Sequence, residues 1–250
     1  MQNRYVGDIG DFVKLAILRA LSPGKQLGVG WWLHPDSGPP GDGRHIGYLD
    51  KPASWRNLDP ELFDALQDVV SSGKRQVTAL EEAALIPGAT YFREEIPIAA
   101  PAAARRDNRT AWFARMKDAL TGCDLVFLDP DNGLEPDGFS HGEAKAGKCV
   151  TVDELEGLRN DERALVVYHH QTRRLGGHYE EIAYWSERLR GLGLSPVGAL
   201  RSKSYSPRAF FILGGDGALQ QRASALSEQW GELLSWHPGE VGGSIPVPQS

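Results

Sequence analysis

The chain has 250 residues, 41% of them hydrophobic and 24% charged, with a formal net charge of −6. This composition excludes a wholly disordered chain, and the negative charge excludes a surface that binds polyanions everywhere. Two cysteines are too few for a disulfide scaffold, and no apolar run approaches the roughly 20 residues of a membrane span. Residues 1–4 lack the basic and apolar regions of a secretion signal, so we expect a cytoplasmic protein without a membrane segment.

Patterns typical of helices and strands alternate along the chain. In the first half they predict a helix over residues 12–21, a strand over 27–33, a helix over 59–70, short strands over 76–80 and near 91–96, and a helix over 108–120. In the second half they predict strands over 125–128, 164–168, 197–200 and 209–213, and helices over 151–158, 179–192 and 219–234.

This alternation predicts a single α/β domain over residues 1–250. We expect a Rossmann-like three-layer α/β sandwich with a mostly parallel sheet. The last two strands are separated by a short loop, residues 201–208, which predicts a hairpin and an antiparallel strand at one edge. Residues 1–24 would form an N-terminal motif and helix, and residues 244–250 a flexible tail.

A sharp polar turn follows the apolar strand over residues 125–128. The turn is Asp129-Pro130-Asp131-Asn132-Gly133, and open α/β sheets bind ligands at such strand ends. A carboxylate and a carbonyl held there can grip an exocyclic amine by accepting its hydrogens. Alternatively, Asp129, Asp131 and Glu135 could hold a divalent metal through oxygen ligands. A plain Asx turn that only closes the loop is a third interpretation.

Polar groups also follow two other predicted strands. Asp36, Asp42 and Gly43 lie in a glycine-rich loop after the first strand, where a carboxylate can accept hydrogen bonds from ribose hydroxyls. His169 and His170 end a later strand. Neighbouring residues on a strand point to opposite faces, so one histidine can act as a general base while the other is packed. The ends of parallel strands meet at one edge, which would bring all these groups together.

Two further patterns bear on nucleic acid. The predicted helix over residues 108–120 carries arginines and the aromatic pair Trp112-Phe113, which fits RNA or DNA contact but equally a solvated face with a buried tryptophan. Pro130-Asp131 followed by Glu143-Ala144-Lys145 imitates a metal-dependent nuclease signature. The second half of that signature normally lies on a strand, whereas here it lies in a long glycine-rich loop that is typical of a lid.

The stretch Gly7-Asp8-Ile9-Gly10-Asp11-Phe12-Val13-Lys14 resembles a helix start found in the RlmJ-type adenine-N6 methyltransferases of ribosomal RNA. Their catalytic Asp-Pro-Pro-Tyr corresponds to Asp129-Pro130-Asp131-Asn132. The resemblance implies a methyltransferase fold that binds S-adenosylmethionine, with Asp11 and Lys14 at the matched positions. Asp131 and Asn132 replace the family's second proline and its base-stacking aromatic, so an adenine substrate is implied less strongly than the fold. The same stretches also resemble a widespread bacterial family, which implies no function.

The favoured hypothesis is an S-adenosylmethionine-dependent methyltransferase that acts on a nucleic-acid base or a related amine. Its predicted catalytic residues are Asp129, Asp131, Asn132 and His169; its cofactor-binding residues are Asp11, Lys14, Asp36, Asp42 and Gly43; its substrate- or phosphate-binding residues are His170, Arg173 and Arg174. One alternative is a nuclease or phosphohydrolase with Mg²⁺ or Mn²⁺ on Asp129, Asp131 and Glu135. Another is a methyltransferase fold that has lost its cofactor and serves as a partner protein. RNA or DNA is the expected partner through a local basic face, and the oligomeric state is left open.

Overall fold

Helices and strands alternate along residues 1–38, 41 and 43–239, which are the residues that the computed structural model of this chain describes. The helices are α1 (Ile9–Leu21), α2 (Pro52–Trp55), α3 (Pro60–Ser71), α4 (Val77–Glu82), α5 (Ala102–Ala119), α6 (Val152–Leu158), α7 (Gly177–Gly191) and α8 (Gly217–Trp230). The strands are β1 (Leu27–Gly30), β2 (Thr90–Phe92), β3 (Leu125–Leu128), β4 (Gly133–Leu134), β5 (Cys149–Val150), β6 (Ala164–His170), β7 (Pro196–Ser202), β8 (Arg208–Leu213) and β9 (Leu234–Pro238).

Seven of the described strands form one sheet in the order β2-β1-β3-β6-β8-β7-β9. Strands β2, β1, β3 and β6 are parallel, and β8 runs antiparallel between β6 and β7. Strand β9 is antiparallel to β7 at the far edge. Because β7 points the same way as β6, five of these seven strands share one direction. With helices on both faces, this is the predicted Rossmann-like three-layer sandwich with a mostly parallel sheet and an antiparallel edge.

Each face of the sheet has its own apolar core. Phe127 of β3 packs into the core formed with α1, α3 and α8, where Phe12 and Trp230 stack at 5.5 Å between ring centroids. Leu128 packs into the core formed with α5, α6 and α7. All four residues of β3 are fully buried, as a central strand of a parallel sheet requires. Since side chains alternate along a strand, the residue two after Phe127, Asp129, points to the α1 face.

Side-chain caps fix where several helices begin. The carboxylate of Asp8 accepts from the backbone N–H groups of Gly10 and Asp11 and starts α1. The predicted capping box of Thr151 and Glu154 is present at the start of α6. Glu154 also forms a buried ion pair with Arg109 of α5, at 2.6 Å from Oε1 to Nε. These contacts hold α6 against α5 on the face opposite α1.

Several predicted elements differ from the structure. The helix predicted over residues 108–120 begins earlier, at Ala102, and the strand predicted over residues 27–33 ends at Gly30. The short strand predicted over residues 76–80 is wrong, because Val77–Glu82 is helix α4. Val77 and Leu80 are both buried at helical i,i+3 spacing, and Asn3 Oδ1 accepts the Val77 N–H at the helix start. The last predicted helix stops earlier than residue 234, since α8 ends at Trp230 and the chain then enters β9. The predicted tail, residues 244–250, lies outside the described residues.

Among the described residues there is no helix with the length and hydropathy needed to cross a membrane.

Candidate functional site

The polar turn after β3 lies where the order of the sheet reverses. Among the strands of the seven-stranded sheet, β1 is followed in the chain by its neighbour β2 on one side, whereas β3 is followed by its neighbour β6 on the other. Open α/β sheets bind ligands outside the carboxyl ends of the strands at such a point. Asp129 comes directly after β3, and Trp31 directly after β1. The predicted convergence of strand ends is therefore centred on the crevice between β1 and β3.

Residues 1 and 2 lie across this crevice. The ammonium of Met1 donates to the carbonyl oxygens of Trp32 at 3.2 Å and Asp129 at 2.6 Å. It also lies 2.9 Å from the carboxylate of Asp131. Gln2 is fully buried and donates to Asp131 at 2.5 Å. Its side-chain oxygen accepts from the backbone N–H of Ser37, in the loop after β1, at 2.6 Å. Burial opposes ionisation, but these donors lower the pKa of Asp131 to about 2.

A buried ion cluster joins α1 to the turn. The Nζ atom of Lys14 lies 2.8 Å from Asp11 Oδ1 and 2.5 Å from Asp129 Oδ2, and Lys14 is only 5% exposed. Burial disfavours the charged lysine, but the two carboxylates raise its pKa above the ordinary value. Burial raises the pKa of Asp129 despite Lys14. The fold thus brings together two parts of the predicted site. Asp11 and Lys14 belong to the first part and Asp129 to the second, and Lys14 and Asp129 are 115 residues apart in the sequence.

The first cavity opens beside this cluster on the α1 face and has a volume of about 380 Å³. Its lining is polar and carries both signs of charge; the charged and hydrogen-bonding residues are Tyr5, Asp8, Asp11, Lys14, His45, Asp129, Asp131, Asn132, Lys148, Tyr168, His170, Ser206 and Arg208. Three of the four predicted catalytic residues and two of the predicted cofactor residues are in this set. A cavity of this kind can hold a small ligand that itself carries both charges.

Asp8 in the lining of the first cavity has a pKa well above the usual range of an aspartate. Burial, and then the neighbouring Asp11, raise its pKa from 3.8 to about 7, against the opposing effect of Arg208 and Lys14. Its carboxylate nevertheless caps α1. Because the folded chain holds this proton up to a higher pH than the unfolded chain does, the associated stability is present at low pH and is lost as pH rises towards 7.

Asp8→Asn is expected to remove this pH dependence. Asparagine caps a helix as well as aspartate does and does not ionise. Between about pH 5 and pH 7, the free energy of unfolding of the wild type should fall by roughly 2–3 kcal/mol relative to the variant. Urea denaturation at both pH values measures the difference. Parallel pH profiles for the two proteins would contradict the assignment of this titration to Asp8.

The two histidines at the end of β6 have different environments. His169 points to the α7 face, where its Nδ1 accepts the N–H of Leu134 at 3.2 Å and its Nε2 lies 3.2 Å from Glu181. Both ring nitrogens are therefore engaged, which fits a packed role better than the predicted catalytic one. His170 points to the α1 face beside Arg208 and contacts the hydroxyl of Tyr168 at 3.2 Å through Nδ1. Burial, and then Arg208, lower the pKa of His170, which keeps the imidazole neutral at pH 7.

The second cavity lies on the α7 face of the same edge and has a volume of about 410 Å³. Its surface is mostly apolar, and its lining residues include Leu134, Pro136, Cys149, Tyr184 and Trp185. Asn132 and His170 line both cavities. The two cavities thus meet at the end of the turn, one on each face of the sheet.

The remaining predicted site residues are spread out. Asp36 accepts from the backbone N–H of Arg4 at 3.2 Å on the outer side of residues 1–4 and lines neither cavity. The carbonyl of Gly43 accepts from Arg75 at 2.6 Å, and Asp42 lies outside the described residues. Arg174 lines the second cavity, whereas the exposed Arg173 lines neither. Of the residues predicted to bind the cofactor in the loop after β1, Asp36 and Gly43 therefore line neither cavity.

The carboxylates of the alternative metal site do not face one another. Asp129 is paired with Lys14, and Asp131 with Met1 and with Lys148 at 3.4 Å. The backbone N–H of Val152 donates to the carboxylate of Glu135. In the described ranges there is no cluster of three or more histidine, cysteine, aspartate or glutamate side chains arranged to hold a metal.

The basic residues of α5 are mostly engaged. Arg109 is buried against Glu154 and donates to the carbonyls of Ala146 and Cys149. Arg105 donates to three carbonyls, and Arg115 pairs with Glu94 at 2.7 Å. Arg105 donates to the carbonyl of Gly142 and Arg109 to that of Ala146, so α5 anchors the loop over residues 136–148 that was predicted as a lid.

Tyr168, Lys148 and Arg208 line the first cavity but were not predicted as site residues. Tyr168 could have been found from the sequence, because it lies two residues before His170 and a strand places such residues on one face. Arg208 lies opposite His170 in the antiparallel pair of β6 and β8. Its position depends on that long-range register, for which the sequence carries no local signal.

No protein-family model matches the sequence, and a search of curated proteins also finds no match. The resemblance to adenine-N6 methyltransferases stays a prediction.

Proposed function

We propose that the protein is a methyltransferase that uses S-adenosylmethionine and acts on the amine of a heteroaromatic ring. The observation that carries this proposal is the first cavity, which lies at the reversal of strand order and is lined by Asp129, Asp131 and Asn132. The fold supports the proposal because it is a Rossmann-like, mostly parallel sheet, the type of fold that the resemblance to methyltransferases implies.

The charges of the first cavity fit S-adenosylmethionine. That molecule carries an ammonium, a sulfonium, a carboxylate and a nucleoside. Asp8 would hold a cationic group, and Lys148 and Arg208 the carboxylate. A volume of about 380 Å³ lies within the usual range of roughly 300–1,000 Å³ for small-molecule sites. When bound, the cofactor supplies a methyl group on a positively charged sulfur.

The chain's own residues would position the acceptor amine and receive its proton. Asp129 and Asn132 accept hydrogen bonds from the amine, which orients the nitrogen lone pair. His170, neutral at pH 7 and in contact with both cavities, takes the proton that the amine releases. Tyr168 orients the His170 ring through its hydroxyl. Lys14 holds the carboxylate of Asp129 in place through the ion pair at 2.5 Å.

Transfer of a tritium-labelled methyl group from S-adenosylmethionine tests the proposal. Nucleotides and single-stranded RNA serve as acceptors, and acid-stable label is counted after separation. Label above that of a heat-denatured sample is the expected result. Absence of label in every acceptor, with the protein folded by circular dichroism, would argue against the activity.

The position of residues 1 and 2 favours a second candidate, a non-catalytic binding module. Met1 and Gln2 fill the crevice between β1 and β3 and tie the polar turn to the β1 loop. A module of this kind would keep the fold and the first cavity but would not bind S-adenosylmethionine. Cofactor binding therefore separates the two candidates.

A further inference from the structure

We propose that the second cavity binds a nucleotide, with the base inside the cavity and the phosphate on Arg174. This inference rests on the proposed function only in naming the cavity as the acceptor site, since the binding itself requires no cofactor. The second cavity is separate from the first, lies on the opposite face of the sheet and is lined by a different helix, α7.

The interior of the second cavity suits a planar ring. Trp185 and Tyr184 of α7 lie 5.2 Å apart between ring centroids, and Leu134 and Cys149 form buried apolar wall. The volume of about 410 Å³ is ample for a nucleobase and its sugar. Aromatic side chains bind bases by stacking, which contributes about 1–3 kcal/mol per base.

Some of the polar groups of the second cavity lie at the end that meets the first cavity. Asn132 and His170 are shared by both linings, and Thr172 lies beside them. Thr172 is fixed by Glu181, which accepts from its backbone N–H at 2.9 Å and its hydroxyl at 2.7 Å. A base held by the apolar wall would therefore direct its polar edge towards the turn that contains Asp129.

Arg174 is placed for the phosphate. Its guanidinium lies over the ring of Tyr184 at 3.4 Å from the centroid, at the rim of the second cavity. The side chain is exposed, and no carboxylate pairs with it in the described part of the chain. By contrast, Arg188 of α7 is paired with Asp137 at 2.5 Å. A guanidinium that is already oriented by stacking and lacks an anionic partner is suited to a phosphate.

The neighbouring Arg173 provides a matched control. It is an exposed arginine one residue away, with the same charge, but it lines neither cavity. Long-range attraction of an anion would involve both arginines, whereas a contact at the rim of the second cavity would involve Arg174 alone.

Isothermal titration with adenosine 5′-monophosphate, without S-adenosylmethionine, tests the inference. We expect saturable binding that Arg174→Ala weakens by about tenfold or more and Arg173→Ala by less than about threefold. Adenosine should bind the wild type and Arg174→Ala equally, because it lacks the phosphate. A short single-stranded RNA tests whether the nucleotide is free or part of a nucleic acid; either ligand with the same dependence on Arg174 supports the site.

Two outcomes would overturn the inference: no saturable binding of either ligand, or an equal loss of binding in both arginine variants. Both are independent of the proposed methyltransferase. A protein that does not bind S-adenosylmethionine could still bind adenosine 5′-monophosphate through Arg174. A protein that binds S-adenosylmethionine but not adenosine 5′-monophosphate would support the methyltransferase proposal and overturn this acceptor site.

Discussion

Lys14→Met is expected to lower the free energy of unfolding by about 3–5 kcal/mol. Methionine keeps the length and apolar stem of the lysine but removes the charge that lies between Asp11 and Asp129. Asp129 is 2% exposed and Asp11 1% exposed, so two carboxylates would stay buried without their cation. Breaking a buried pair is costly because the remaining charge has lost both water and partner. Urea denaturation followed by circular dichroism measures the change.

Two further variants show whether the cost comes from the buried charge. Lys14→Met combined with Asp129→Asn should recover part of the loss, because one of the two orphaned carboxylates is then neutral. Lys25→Met serves as the control, since Lys25 pairs with the largely exposed Asp216 at 3.3 Å and should cost less than about 1 kcal/mol. A Lys14→Met protein within about 1 kcal/mol of the wild type would show that the cluster does not hold α1 to the turn.

Asp129→Asn is expected to reduce methyl transfer by about 10²–10⁴-fold while the protein stays folded. Asparagine has nearly the same shape, but its amide cannot accept two hydrogen bonds with a full negative charge. Lys14 keeps Asp11 as a partner, so no uncompensated lysine is created. Initial rates of label transfer from S-adenosylmethionine measure the effect, with the thermal unfolding of each protein recorded alongside.

Asp124→Asn is the matched control for Asp129→Asn. Asp124 comes directly before β3, at the end of this strand opposite to Asp129. Its carboxylate accepts the backbone N–H of Gln26 at 2.6 Å. We therefore expect Asp124→Asn to leave the rate of methyl transfer unchanged. An effect on the rate that is confined to Asp129→Asn would then come from catalysis and not from stability. Equal rates for wild type and Asp129→Asn would remove Asp129 from the reaction, whatever the effect at Asp124.

Local patterns predicted the fold because its main elements have local causes. Four apolar residues before a polar turn were sufficient to identify β3, and every one of them is buried. The spacing of Thr151 and Glu154 predicted the start of α6 from two side chains alone. The antiparallel hairpin of β7 and β8 followed from the short loop between them. Helix α4 was missed because the group that accepts a hydrogen bond at its start, the side chain of Asn3, is distant in the sequence. The two residues come together only in the folded chain.

The sequence predicted which strand ends carry the residues of the site, but it did not predict the contacts that these residues make. Asp129, Asp131 and Asn132 line the first cavity because the turn that carries them follows a central strand. The contacts of Met1 and Gln2 with this turn span 128 and 129 residues and have no sequence signature. For the histidines, alternation predicted opposite faces, but only the packing of Glu181 against His169 distinguishes the packed residue from the one at the cavities.

The two cavities that meet at the turn after β3 are suited to different ligands. The first is polar, carries both signs of charge and lies over the buried ion cluster, whereas the second is mostly apolar and has aromatic walls. Asn132 and His170 stand between them. A reaction that joins a charged donor to a planar acceptor would use both cavities, and the turn after β3 would be the place where they meet.

Isothermal titration of the full chain with S-adenosylmethionine tests the methyltransferase proposal most directly. We predict saturable binding with a dissociation constant below the millimolar range, competition by S-adenosylhomocysteine, and weaker binding in Arg208→Ala, which removes a cation from the first cavity. No heat of binding at millimolar ligand, from protein that is folded by circular dichroism, would contradict the proposal and leave the non-catalytic module as the function of this fold.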